Sequence, residues 1–210
     1  MDKRGPLFAD EPEDTKTEIL KATFDALAEH GYANLTIDRI SQHFSKSEGL
    51  VFYHYDGKDD VLLDLLDYLL NRVVQVGMPV ADDGDPETRL RILLDQVIPG
   101  PDEREIRDYE TVLTELRMQA AQDEAFRACF NQSQDVFRET IREILRDGIE
   151  SGDFRDVDPE LVTGFLVTLV SGLTFERVTT GASRSIRSEL DSYIEYRLLA
   201  DADDADSGDA

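Results

Sequence analysis

TEILKATFDALAEHGYANLTIDRISQHFSKSEGLVFYHYDGKDDVL, residues 17–62, is the stretch on which the fold turns. Ile19, Leu20, Thr23, Phe24, Leu27 and Ala28 recur at helical spacing, which predicts an amphipathic helix from about Thr15 to His30. Gly31 stands where a helix ends on a left-handed residue, and Tyr32 follows to cap the core. Thr36 reads as the N-cap of a second, short helix carrying Ile37, Ile40 and Phe44. Ser45 and Lys46 read as a tight turn, and Ser47 as the cap of a third helix from Glu48 to about His54. Three short helices in such a span, the last two joined by a turn, form a helix-turn-helix head.

Outward from this head the apolar spacing stays helical. Helices are expected near residues 58–76, 87–98, 103–121, 123–150, 159–180 and 184–200, with breaks at 77–86 and at Pro99-Gly100-Pro101. Asp158-Pro159 reads as an N-cap with proline at the first helical position. The fold class expected is therefore all-α. The head spans 15–60 and a helical body 61–200, between lead-in and tail segments, 1–14 and 201–210, whose composition favours disorder.

The chain has 210 residues, with 46 Asp plus Glu against 22 Lys plus Arg, a formal charge of -24. Arg outnumbers Lys by 17 to 5 and Asp outnumbers Glu by 28 to 18. An apolar share of 40% still supports a packed core. Acids spread along the whole chain resemble the surfaces of proteins from extreme halophiles, since in molar salt the Debye length shrinks to about 3 Å and self-repulsion costs little. Cys129 has no partner for an intramolecular disulfide, and the N-terminal residues lack a secretory apolar stretch. The apolar run from Leu161 to Phe175 falls short of the roughly 20 residues that span a bilayer. A cytoplasmic protein without a membrane segment is expected.

The head resembles the DNA-binding head of the TetR family of transcriptional regulators. The resemblance lies in Ile19-Leu20, Phe24 and Ala26, Gly31-Tyr32, Thr36-Ile37, Ile40, Ser47, Gly49, Val51-Phe52, His54-Tyr55 and Lys58-Asp59-Asp60-Val61-Leu62. It implies a recognition helix laid in the major groove. Ser47, Glu48, Gly49, Leu50, Tyr53 and His54 would face DNA, and Thr36 and Lys58 would meet phosphates at the starts of their helices. Lys46, in the turn, is a further phosphate candidate. Leu50 and Phe52 stand where members often carry Thr and Tyr hydroxyls, which removes two phosphate hydrogen bonds.

Around Ile149 to Val157 the body resembles BetI-like members, which implies a dimer and a small-molecule pocket. Leu161, Phe165, Leu169 and Leu173 on one helix, with Ile186, Leu190 and Ile194 on the last, would form the dimer face. Tyr109, Met118, Phe126, Phe130, Phe137 and Phe165 are the candidate lining of the pocket, although aromatic residues at helical spacing are more often solid core. His30 and His43 read as helix-surface residues, and no histidine has another ligand at a metal spacing such as His-x-x-x-His. Neither a cofactor nor a metal is expected, and no nucleophile motif or phosphate loop occurs. The expected partners are a near-palindromic double-stranded DNA operator, a second copy of the chain and a small effector. Two rivals remain open: a regulator acting through protein contacts alone, because residues 15–60 hold five Lys or Arg against eight Asp or Glu, and an all-α enzyme with its site in the body.

Overall fold

In the computed structural model, residues 14–44, 46, 48–77, 84–98, 104–181 and 186–200 are described. They form α1 (Thr15–His30), a 3-10 turn (Tyr32–Asn34), α2 (Ile37–Gln42), α3 (Glu48–His54), α4 (Lys58–Gly77), α5 (Pro86–Val97), α6 (Arg104–Gln119), α7 (Glu124–Ser151), α8 (Pro159–Thr180), α9 (Arg187–Tyr193) and a π-helical turn (Ile194–Leu198). Among the described residues there is no strand, only an isolated bridge between Phe154 and Leu199. The all-α class is thus observed. The lead-in and tail lie outside the described residues, except Asp14.

Local chemistry sets the ends. Asp14 accepts the Thr17 N–H at 2.8 Å to start α1, and Gly31, at φ 71°, sends its N–H to the Leu27 carbonyl to finish it. Thr36 caps α2 by accepting the Arg39 N–H at 3.2 Å. Asp158 accepts the N–H groups of Glu160 and Leu161, with Pro159 at the first helical position of α8.

The chain divides into two compact units, residues 1–76 with 102–133, and residues 77–101 with 134–210. In the first, α1 to α4 close on α6 and the start of α7 around Ile19, Leu27, Ile40, Val51, Leu65, Leu66, Leu116 and Phe126, all essentially sealed from solvent. Helix α4 contributes Val61, Leu62, Leu65, Leu66 and Leu69 to this one core. The second unit packs α5, the rest of α7, α8 and α9 around Leu90, Leu93, Ile144, Leu145, Leu166, Ile194 and Leu198. Its arginines are engaged across elements: Arg89 with Asp147 at 2.6 Å, Arg91 with Asp191 at 2.7 Å, Arg142 with Glu160 at 2.6 Å, and Arg187 with Asp95. Planar guanidinium groups suit such carboxylate pairing better than ammonium groups do, in keeping with the excess of Arg over Lys.

The last helix differs from the sequence expectation. It is α-helical only over Arg187–Tyr193 and then widens into the π turn. The segment 153–155 captures its end: Arg155 N–H donates to the Leu198 carbonyl at 2.7 Å, Ala200 N–H to the Asp153 carbonyl at 2.9 Å, and the Arg155 guanidinium to the Tyr196 carbonyl at 2.7 Å. Phe154 is buried between, its ring lying where a Cβ on Gly148 would stand.

Helix α8 also departs from expectation. Its 22 residues are long and apolar enough, by length and composition, to cross a membrane. Val162, Leu166 and Val167 enter the second core, whereas Leu161, Phe165 and Phe175 are 73%, 45% and 51% exposed. The apolarity of α8 thus exceeds what its own unit covers. Leu190 and Ile194, expected on the dimer face, instead point into that core, Leu190 from α9 and Ile194 with Leu198 from the π turn.

Candidate nucleic-acid interface

Helix α3 is two turns long, and its sequence sorts its sides. Val51 is fully buried and Tyr55 nearly so, both in the first core. On the other side Phe52 is 55% exposed and Tyr53 81% exposed, with Gly49 and His54 also exposed and Leu50 half-buried. Tyr53 and His54 meet edge to face, ring centroids 5.2 Å apart. Water gains little from two large aromatic rings held side by side on a short helix, so this outward face is where α3 has contact surface to offer.

Several contacts hold α3 in place. The Tyr55 hydroxyl donates to the Asp64 carboxylate at 2.5 Å, and Lys16 reaches the same carboxylate at 3.0 Å, which joins the end of α3 to α4 and α1. Burial and the neighbouring acid push the Tyr55 phenol well above its ordinary range, so it remains a donor. Asp56 N–H donates to Asp60 at 3.1 Å and closes the turn into α4.

A second cluster surrounds Tyr32. Its backbone N–H donates to Glu115 of α6 at 2.5 Å and its hydroxyl to Asp59 at 3.2 Å. The Lys58 ammonium lies 4.2 Å from the centre of the Tyr32 ring and donates to the Tyr32 carbonyl at 3.4 Å. Lys58 is therefore held at the start of α4. Glu115 stands 83 positions from Tyr32, and nothing in the sequence connects the two.

The remaining candidates are placed as follows. Thr36 is exposed and caps α2. Lys46 is exposed but donates to Glu18 at 2.8 Å and Thr15 at 3.3 Å, so a phosphate contact requires it to leave α1. Ser45, Ser47 and the side chain of Glu48 lie outside the described residues. Of the candidate pocket residues, Tyr109, Phe126 and Phe130 pack in the first unit and Phe137 in the second, while Met118 and Phe165 are exposed. Phe126, only 1% exposed, is solid core. Burial raises the Tyr109 phenol far above its usual value. Cys129 packs against the first core, and burial raises its thiol.

Comparison with known proteins bears on both parts of the chain. Residues 19–65 match the family described as bacterial regulatory proteins, tetR family, and residues 86–199 match that described as BetI-type transcriptional repressor, C-terminal. The chain is 31% identical over 187 residues to the HTH-type transcriptional repressor AcnR of Corynebacterium glutamicum, covering 89% of this chain and 93% of that protein. It superposes on the crystal structure of a TetR transcription regulator from Haloarcula marismortui with a TM-score of 0.79 and 39% identity, covering 88% of this chain and 98% of the other. A structure from Saccharomonospora viridis in complex with choline has the same fold, with a TM-score of 0.81 and 24% identity over 90% of this chain and 100% of the other.

Proposed function

The chain belongs to the TetR family of DNA-binding transcriptional regulators, and on that premise we propose that it is a dimeric repressor reading a near-palindromic operator through the outward face of α3. Members of the family regulate transcription and are not enzymes. They bind DNA operators and act as dimers. The reading of this chain's residues rests on one observation above all: Tyr53, 81% exposed, sits on a helix whose opposite side is locked into the core by Val51 and Tyr55.

In this reading residues 15–60 are the DNA-binding domain. Gly49, Leu50, Tyr53 and His54 face the major groove, with Ser47 and Glu48 at the helix start. Thr36, Lys58 and Lys46 take phosphates, Lys46 only after release from Glu18. A two-fold dimer places its recognition helices about 34–36 Å apart or a multiple of that, which makes the operator near-palindromic. The outward stripe of α8, exposed Leu161 and Phe165 with half-buried Leu169 and Leu173, supplies the dimer face and accounts for apolarity that a single chain leaves uncovered. Such a regulator works beside the chromosome, in the cytoplasm, and its acidity suits a salt-rich one.

A small effector bound in the body would release the operator, by linkage between the two sites. Choline is the first compound to try, since a protein of the same fold is bound to it. The decisive test titrates the purified protein onto DNA flanking its own gene, with unrelated DNA as competitor, in both low and molar KCl. Sequence-selective retention supports the reading. Equal affinity for both DNAs, or none for either, in every salt returns the chain to a role through protein contacts.

A further inference from the structure

Away from the proposed DNA-facing surface, metal-ligating side chains gather at the far end of α1. Glu29 and His30 are its last two residues, and His43 closes α2 thirteen positions later. The fold brings the three together: one donor atom from each lies within 4.8 Å of the others. Glu29 Oε2 is 3.5 Å from His43 Nε2 and Glu29 Oε1 is 3.9 Å from His30 Nε2, while the imidazole centroids stand 6.1 Å apart at 69°. The sequence hid this set because two of its members share one helix end and the third comes from another helix.

We propose that Glu29, His30 and His43 bind a divalent transition-metal ion of the zinc class and so staple α1 to α2. Zinc held at about 2.0–2.2 Å from nitrogen and oxygen ligands needs those ligands about 3.3–3.5 Å apart. The Glu29–His43 separation already meets this; the Glu29–His30 separation, which runs to the other carboxylate oxygen, is longer, and with one donor atom from each residue the set lies within 4.8 Å, so the exposed Glu29 carboxylate and the imidazoles rotate inward to close on one ion. Two imidazoles with one carboxylate select zinc, cobalt or nickel over magnesium or calcium, which prefer all-oxygen sites. The imidazoles are 24% and 25% exposed, open enough for an ion to enter and for water to complete its coordination. The location favours a cation in two further ways. Both histidines stand at C-terminal helix ends, where unsatisfied carbonyls are partially negative. The chain as a whole carries -24 and concentrates cations around itself.

The consequence for function rests on the proposed DNA reading. Helix α2 packs on α1 and leads into the turn before α3, so an ion that fixes α2 fixes the recognition helix with it. Metal binding itself does not depend on that reading, and its test is separate.

The full chain, freed of metal, is titrated with Zn2+ at neutral pH in excess Mg2+, which occupies ordinary surface carboxylates. The probe is the imidazole NMR spectrum. The chain has three histidines, so exposed His54 serves as the internal reference. The His30 and His43 resonances should shift together and saturate at one ion per chain while that of His54 stays in place. Co2+ should give visible absorption bands that Zn2+ abolishes. By calorimetry, His30→Ala and His43→Ala should each lower zinc affinity by about tenfold or more, with circular dichroism confirming that the helices remain. Zinc that moves no histidine, that moves all three alike, or that binds wild type and both variants equally overturns the site. Operator affinity measured with and without Zn2+ is a second readout. Failure to bind any DNA counts against the proposed function and leaves the histidine shifts to decide the metal site.

Discussion

Val51 and Tyr53 stand two residues apart on α3 and should respond to the same substitution in opposite ways. Val51 is 0% exposed, and Val51→Ala removes two methyl groups from the first core. At about 0.8 kcal/mol per buried methylene the transfer cost is about 1.6 kcal/mol, and the cavity adds to it. The better helix propensity of Ala returns about half a kcal/mol, which leaves a loss of about 2 kcal/mol. For a chain of this size that lowers the melting temperature by about 4–8 °C. Tyr53, 81% exposed, has almost nothing to lose in the folded protein, so Tyr53→Ala should stay within about 0.5 kcal/mol of wild-type stability. Its cost should appear on DNA, as about 1–3 kcal/mol, or roughly 5–150-fold in affinity, with relaxed preference at one position of the site. Calorimetric melts and fluorescence anisotropy on an operator selected from random sequence measure both quantities. A Tyr53→Ala protein that melts several degrees lower, or that binds the operator like wild type, refutes the assignment of the two sides of α3.

Gly148→Ala should destabilise by about 1–2 kcal/mol in urea unfolding despite the helix-favouring change, because its Cβ would stand 2.2 Å from Cδ2 of buried Phe154. Leu161→Glu and Phe165→Glu should convert dimers to 23.7 kDa monomers in light scattering without loss of helix, and a monomeric wild type would end the α8 interface. Asp85 caps α5, and the N–H and hydroxyl of Thr88 hold its carboxyl below the usual range. That stabilisation is complete above the unfolded value near 4 and disappears as pH falls through the lowered folded value, so wild type should lose melting temperature more steeply than Asp85→Asn between about pH 4 and 2. Operator affinity should fall little, or rise, as KCl increases from about 0.1 M to 1 M, and the melting temperature should rise with it.

Much of the head was legible because its signals are local. Gly31 and Thr36 each act on the adjoining turn, so α1 ends and α2 begins where they place them, as Asp158-Pro159 does for the start of α8 in the body. The outward placing of Tyr53 and His54 came from the family resemblance and not from spacing, and α3 buries Val51 and Tyr55 behind them. What escaped was set at a distance. The contact of Glu115 with Tyr32, the capture of the last helix by residues 153–155, and the meeting of His43 with Glu29 all join positions that no periodicity relates. The proposed dimer face shows the same limit. Helical spacing groups Leu161 with Leu169 and Leu190 with Ile194, but only packing reveals that the second pair is already used inside its own unit.

The charge of the head explains why its affinity should depend so little on salt. In an ordinary basic protein each phosphate neutralised releases counterions, and affinity falls with a slope of about -0.9 per phosphate. Here the cations that would do the neutralising already have partners: Lys16 reaches Asp64, Lys46 reaches Glu18, Lys58 covers Tyr32, and Arg39 donates to the Asn34 carbonyl. Asp59 and Asp60 occupy the first turn of α4, where a phosphate would otherwise be drawn. Moving Lys46 onto a phosphate exposes Glu18, which must then take up a cation from solution, and that uptake opposes the release from DNA. Two chains of charge -24 add repulsion that only salt screens. The net slope should therefore lie near zero or reverse sign. Glu18→Gln, which frees Lys46 without adding a positive charge, should raise affinity at about 0.1 M KCl more than at 1 M. A slope as steep as that of a basic repressor in the wild type, unchanged in Glu18→Gln, would show that these ion pairs do not govern how the head meets DNA.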